Sequence, residues 1–140
     1  MQFKLEVVVV PVSDVDRAKA FYADQVGFPV DLDVSPREGF RVVQMTPEGS
    51  GCSVTIGTGL SEMAPGTLKG LQMCVADIES AHALLEGRGV PVTPVRHHDG
   101  TEFVDGRSDD EWNSFFFFDD PDGNSWAVQE SPTMHAAAAG

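Results

Sequence analysis

The sequence predicts an α+β fold of two tandem β-α-β-β-β modules, and two internal repeats together with strand-like runs around them carry that prediction. The first repeat sets Val12-Ser13-Asp14-Val15-Asp16-Arg17-Ala18-Lys19-Ala20-Phe21 against Val75-Ala76-Asp77-Ile78-Glu79-Ser80-Ala81-His82-Ala83-Leu84 at a constant offset of 63 positions. The second sets Thr46-Pro47-Glu48-Gly49 against Asp120-Pro121-Asp122-Gly123 at an offset of 74. Module 1 is expected at about residues 3–59 and module 2 at about 68–131, inside one domain spanning 1–131, with a flexible tail at 132–140.

Each module opens on a strand, Glu6 to Val12 or Gly70 to Val75. Alternate residues of a strand face opposite sides. Val8, Val10 and Val12, like Leu71, Met73 and Val75, are expected under the helix, which leaves Val7, Val9 and Pro11, or Gly70, Gln72 and Cys74, on the other face. The helices follow at once. Ser13 or Asp14, and Asp77, are short polar N-cap candidates, with Asp16 and Glu79 in the first turn where the helix dipole favours negative charge. Apolar residues recur at helical spacing through Val15, Ala18, Phe21, Tyr22 and Val26, and through Ile78, Ala81, Leu84 and Leu85, before Gly27 and Gly89 stop each helix. The last two strands of each module flank the Pro-containing turn: Phe40 to Met45 and Cys52 to Ile56, then Ser114 to Phe118 and Ser125 to Gln129.

Composition narrows the function classes. Nine Lys and Arg against 22 Asp and Glu give a net charge of −13, which opposes binding to phosphate backbones and anionic lipid, so neither nucleic acid nor membrane is an expected partner. No apolar run is long enough to span a bilayer, and no signal-peptide pattern precedes the first strand. Cys52 and Cys74 lie in apolar strand-like runs and are expected as buried free thiols, which fits a reducing cytoplasm. There is no phosphate loop, nucleophile elbow or Cys-x-x-Cys pair.

The Val12 to Tyr22 run and the Asp120-Pro121-Asp122-Gly123-Asn124 turn, in that order within a duplicated frame, resemble the glyoxalase/bleomycin-resistance/extradiol dioxygenase superfamily, also called vicinal oxygen chelate. The resemblance covers about residues 3–131 and implies a glyoxalase-like fold, in which the paired modules form an eight-stranded open cup. It also implies a small-molecule ligand and a homodimer. It does not choose a function, because the family holds both metal-dependent enzymes and metal-free antibiotic-sequestering proteins. Metal-dependent members place His, Gln or Glu at positions that map onto Val7, Ser53, Gly70 and Ala127. None of these offers an imidazole or carboxylate donor, so no cofactor is expected, and a divalent ion would need a non-standard site.

Two features set module 2 apart. Gly89 to Pro121 is 12 residues longer than Gly27 to Pro47, and the insertion falls in the polar run His97 to Asn113, which reads either as a solvated acidic loop or as a lid. Within it His97, His98 and Glu102 are the candidate acid/base residues, although adjacent histidines on extended chain point to opposite sides. Phe115 to Phe118 form the second feature. Alternation turns two of the four toward the core, leaving Phe115 and Phe117 as a floor for an apolar or planar ligand with Trp112 as its lid. Val9, Arg41, Gln44, Ser53, Thr55, Gln72 and Gln129 complete the candidate ligand contacts. Two functions stay open on this evidence: a metal-independent binding protein of the bleomycin-resistance type for an apolar or aromatic ligand, or a glyoxalase-like isomerase or lyase using His97 or His98 with a nearby carboxylate.

Overall fold

A computed structural model describes residues 1–134, so the expected tail lies, from residue 135 on, outside the described residues. The chain divides into two compact units, Met1–Leu68 with Asp120–Asn124, and Lys69–Asp119 with Ser125–Gly140. The turn that closes module 2 is thus part of the first unit.

Unit 1 runs β1 (Val7–Val9), α1 (Val15–Lys19) continuing into wider π-wound turns (Ala20–Val26), β2 (Val30–Arg37), β3 (Phe40–Met45) and β4 (Ser53–Thr58). Its sheet order is β1-β4-β3-β2, with β1 parallel to β4 and the other pairs antiparallel. Unit 2 runs β5 (Leu71–Val75), α2 (Ile78–Gly87), β6 (Arg96–His98), β7 (Phe103–Asp105), β8 (Phe115–Asp119) and β9 (Ser125–Glu130), in the order β5-β9-β8-β6-β7. The winding of unit 1 is repeated, and the insertion contributes β7 as a ninth strand beyond the eight expected.

The helix starts obey local chemistry. Asp14 caps α1 by accepting the Arg17 N–H at 3.0 Å, and Asp77 caps α2 by accepting the N–H groups of Glu79 and Ser80 at 3.1 Å each. At the end of the π-wound turns the Gly27 N–H reaches the Tyr22 carbonyl, five residues back, and Gly27 turns out at φ 97°, where a β-carbon would be strained. In unit 1 Val10, Val43, Met45, Val54 and Ile56 are buried with Ala18, Phe21, Tyr22 and Val26 of the helix, while Val8 and Val12 are only half-buried. In unit 2 Phe116, Phe118, Trp126 and Val128 are buried with Ile78 and Leu85, and the Phe118 and Trp126 rings stack at 6.0 Å. Both cysteines are free thiols. Cys74 is exposed rather than buried, because its parity turns it to the open face of β5, opposite Met73.

The Asp-Pro-Asp-Gly-Asn turn is a buried hydrogen-bond hub of unit 1. Asp120, 5% exposed, accepts the N–H groups of Asp122 and Asn124 at Oδ1, each at 2.9 Å. At Oδ2 it accepts the Tyr22 hydroxyl and the Asn124 side-chain amide, each at 2.7 Å. Asn124, fully buried, also donates to the Pro11 carbonyl at 2.8 Å and accepts the Leu68 N–H at 3.1 Å. Ser13, the other cap candidate, does not cap the helix: its N–H donates to Asp122 at 3.2 Å, and its hydroxyl donates to Asp122 while accepting from the Arg17 guanidinium. Gly66 runs so close beneath the turn that a β-carbon there would sit 2.0 Å from the Asp122 carbonyl oxygen. The local motif is therefore a long-range tie.

Arg41 and Asp33 tie the outer strands to α1. Arg41 donates from Nε and Nη2 to Asp33 at 3.0 and 2.8 Å and from Nη1 to Asp16 at 2.7 Å, and Lys19 reaches Asp33 at 2.8 Å. The Arg41 guanidinium, then the Lys19 ammonium, hold the Asp33 carboxyl well below its ordinary value near 3.8. A carboxylate whose folded pKa is depressed stabilises the fold above its unfolded pKa, and that contribution is lost as pH falls through the folded value. Urea midpoints of the wild type should therefore drop as pH falls below about 4, while Asp33→Asn, already without the charge, gives a flatter profile and costs about 1 kcal/mol at neutral pH. Parallel profiles would show that Asp33 contributes no pH-dependent stability.

Candidate ligand-binding face

Pairing register decides which side chains share a face, because residues opposite one another on antiparallel strands point to the same side. In unit 2 the pairs Phe117 with Ala127 and Phe115 with Gln129 continue to Gln72 and Cys74 across β9 and β5. The face opposite the buried Phe116, Phe118, Trp126 and Val128 therefore carries Phe115, Phe117, Ala127, Gln129, Gln72 and Cys74. Arg96 pairs with Phe115, and Asp105 with Arg96, which brings Arg96, His98, Phe103 and Asp105 onto the same side.

Three phenyl rings build a platform there. Phe115 and Phe117 lie parallel, 5° apart in plane with centroids at 6.1 Å, and Phe103 stands edge-on to both at 5.5 and 5.4 Å. The His98 ring meets Phe103 edge-on at 5.2 Å. Phe103 is 45% exposed, which for a ring of that size leaves a large apolar area in water. A polar relay runs beside the rings: the Gln72 amide donates to the Gln129 carbonyl oxygen at 2.6 Å, and the Gln129 amide donates to the Trp112 carbonyl at 2.8 Å. Trp112 is the one non-glycine residue with positive φ among the described residues, at 65°, a conformation that costs on the order of 1–3 kcal/mol, and its indole is 44% exposed. Its neighbour Asn113 clamps the insertion to β6 by accepting the His98 N–H and donating to the His98 carbonyl, each at 2.9 Å.

The predicted residues separate into four groups. Gln72, Trp112, Phe115, Phe117 and Gln129 come together on this face or at its border. Val9, Gln44, Ser53 and Thr55 lie on one face of the unit 1 sheet, joined by the pairs Val9 with Thr55 and Gln44 with Thr55, and by the Thr46 to Ser53 hydroxyl bond at 2.6 Å. Arg41 has the parity of the buried Val43 and Met45, and its ion pairs with Asp16 and Asp33 put it on the helix side, away from Gln44. His97 and His98 point to opposite sides of β6. The His97 Nδ1 donates to the Gly106 carbonyl at 2.8 Å, whereas the His98 Nδ1 accepts the Gly100 N–H at 3.1 Å. Glu102 gives its N–H to Asp99 in the hairpin loop. The geometry does not assemble these three into an acid/base pair.

The family's metal positions can be tested on donor chemistry. Val7 and Ser53 are register partners in unit 1, while in unit 2 Ala127 faces Gln72, with Gly70 just ahead of β5. Neither pair, a valine with a serine or an alanine with a glutamine, supplies the imidazole or carboxylate donors that a divalent ion needs. Among the described residues no group of three or more His, Cys, Asp or Glu is placed to hold a metal ion.

Sequence reading overlooked Arg96 and Phe103. The signal was present: Asp99-Gly100 is a hairpin turn dipeptide, flanked by short runs that could pair, but the run's polarity suggested a loop. Beside the platform's border lies a cavity of about 530 Å³ lined by Asp77, Glu79, Arg107, Trp112, Glu130 and Ser131. The helix N–H groups that would meet an anion there are taken, Glu79 and Ser80 by Asp77, and Ile78 by Glu130 at 3.0 Å. Arg107 closes on Glu130 at 2.6 Å and holds its carboxyl below the usual range. The Arg107–Glu130 pair, with the Ile78 N–H on the same carboxylate, ties the insertion to β9 and to the start of α2 there.

Comparison with known proteins agrees with this architecture. The family model for the Glyoxalase/Bleomycin resistance protein/Dioxygenase superfamily matches residues 4–128. Among solved structures, TnmS3, an antibiotic binding protein from Streptomyces sp. CB03234, is 32% identical at a TM-score of 0.73, covering 93% of this chain and 97% of that one. A glyoxalase/bleomycin resistance protein from the same organism is 32% identical at a TM-score of 0.70, covering 90% and 99% of the two chains. A superfamily member from Sphaerobacter thermophilus DSM 20745 is 25% identical at 0.73, covering 93% and 98%. No curated protein matches. With module order, turn motif, sheet winding and the matched span in agreement, the chain belongs to the Glyoxalase/Bleomycin resistance protein/Dioxygenase superfamily.

Proposed function

We propose that the chain is a metal-independent small-molecule-binding protein that holds a planar aromatic ligand against the phenyl platform of unit 2. One observation carries the reading: Phe103, Phe115 and Phe117 pack together on the open face of the sheet, with Phe103 45% exposed, beside an ordered amide relay. Apolar area left in water beside a few fixed polar groups is the usual make-up of a ligand site. The antibiotic binding by TnmS3, 32% identical, supports the class of function. A homodimer belongs to the reading, since Phe3, Leu5, Val7, Leu32 and Val34 leave apolar surface on unit 1 of the kind a second copy buries.

A thermal-shift titration with 2-naphthamide, using cyclohexanecarboxamide as a non-planar control, tests the proposal. The expected result is a rise in melting temperature of about 2–3 °C at millimolar naphthamide, little change with the control, and the same behaviour after chelator treatment. A shift that requires an added divalent ion, or no shift with the planar amide, overturns it.

A further inference from the structure

We infer that the ligand of this face carries an anionic oxygen, a carboxylate or phenolate, and that the Arg96 guanidinium binds it. The inference rests on the platform reading above and adds the charge of the ligand to it.

Arg96 stands one strand from Phe115 in the same row, so its side chain borders the ring that floors the platform. Neighbouring strands are about 4.8 Å apart, within reach for a substituent on a flat ring lying over Phe115. A guanidinium carries five N–H donors in a planar fork matched to a carboxylate. In Arg96 only Nε is engaged, with Asp105 at 3.3 Å, and the Asp105 side chain is 74% exposed on the outermost strand. Both Nη groups remain available among the described residues. A pair so open to water is weak, so a ligand oxygen competes with it on favourable terms.

The rest of the face offers an anion no second fixed cation. Gln72, Gln129, Cys74, Ala127 and the phenyl rings are uncharged, and the His98 Nδ1, as acceptor of the Gly100 N–H, leaves its proton on Nε2 when neutral. Arg96 is the one guanidinium or ammonium bordering the rings: its counter-ion Asp105 is turned to solvent on the outermost strand, and Asp119, which follows Phe117 on the same face of β8, is exposed. A ligand amine placed over Phe115 would meet the guanidinium, while an acid would meet its fork. The chain's net charge of −13 repels small anions elsewhere, so only an anion that also offers aromatic area should be retained.

Calorimetric titration of 2-naphthoate against 2-naphthamide separates the charge from the ring. Wild-type protein should bind naphthoate about tenfold more tightly than naphthamide, as expected of a charge-assisted hydrogen bond at a partly exposed site. Arg96→Gln should bring the two affinities within about twofold of each other by weakening naphthoate alone, Arg96→Lys should fall between, and Asp105→Asn should strengthen naphthoate about threefold by releasing the guanidinium. Equal binding of both probes by the wild type, or a preference that survives Arg96→Gln, overturns the assignment and leaves the platform intact. Failure of both probes overturns the platform and this inference together. Should Arg96→Gln fail to fold, the Asp105→Asn arm decides: a rise in naphthoate affinity supports the inference, and no rise overturns it.

Discussion

Asp120→Ala should lower the stability of the protein by roughly 3–4 kcal/mol, a drop in melting temperature on the order of 10–15 °C for a chain of this size. Four donors converge on the Asp120 carboxylate: the Tyr22 hydroxyl, the Asn124 amide, and the N–H groups of Asp122 and Asn124. Alanine removes every acceptor at once, and the orphaned groups are in a buried part of unit 1, where Tyr22 and Asn124 are fully inaccessible to water. The cost exceeds that of losing one hydrogen bond because unsatisfied buried donors incur their full desolvation penalty. Two further variants grade the effect. Asp120→Asn keeps one acceptor oxygen but turns an amide toward the remaining donors, so about half the loss is expected. Tyr22→Phe removes a single donor and leaves Asp120 bonded to Asn124, so about 1 kcal/mol is expected. Urea unfolding of the three should rank alanine, asparagine, then phenylalanine. Three equal and small losses would show that the turn is not the tie described.

That hub also shows what was legible in the sequence and what was not. The motif at 120–124 could be recognised as a turn because proline, glycine and asparagine encode turn dihedrals locally. Its bonding partners Tyr22 and Pro11 lie 98 and 113 positions away, and no local pattern encodes such a separation. The helices were legible for the same reason as the turn, through caps at Asp14 and Asp77 and helical spacing. Face parity was legible in β8 and β9, where Phe116, Phe118, Trp126 and Val128 are buried as alternation requires. The same rule, applied to β3, would have put Arg41 with Val43 and Met45 on the helix side. What obscured it was chemistry: an arginine beside a glutamine suggests a polar binding wall, and the ion-pair partners Asp16 and Asp33 reveal themselves only when the strands are paired. Register between distant strands was the least legible feature. The repeats make Gly70 and Ala127 the equivalents of Val7 and Ser53, which pair in unit 1, but the observed partner of Ala127 is Gln72, two residues on. A slip of two preserves which face a residue occupies, so Gly70 and Gln72 share a parity and alternation alone does not reveal the row.

The Phe103→Ala and Phe117→Ala double variant should lose about 30-fold in affinity for 2-naphthamide while remaining folded. Each ring offers a ligand an edge or a face worth about 1 kcal/mol, and the two touch at 5.4 Å, so removing both also dismantles the support each gives the other. The folding cost should be modest for Phe103, which is already 45% exposed, and larger for the half-buried Phe117. The control sits between the two platform residues of β8. Phe116, fully buried and edge-on to the His82 ring at 5.3 Å, faces the helix side, so Phe116→Leu should lower the melting temperature and leave naphthamide affinity within about twofold. Neighbouring phenylalanines on one strand thus make opposite predictions, one losing ligand and the other losing stability. Alternation along β8 is the only physical difference between them. If Phe116→Leu weakens binding and the platform double variant does not, the ligand lies on the other side of the sheet.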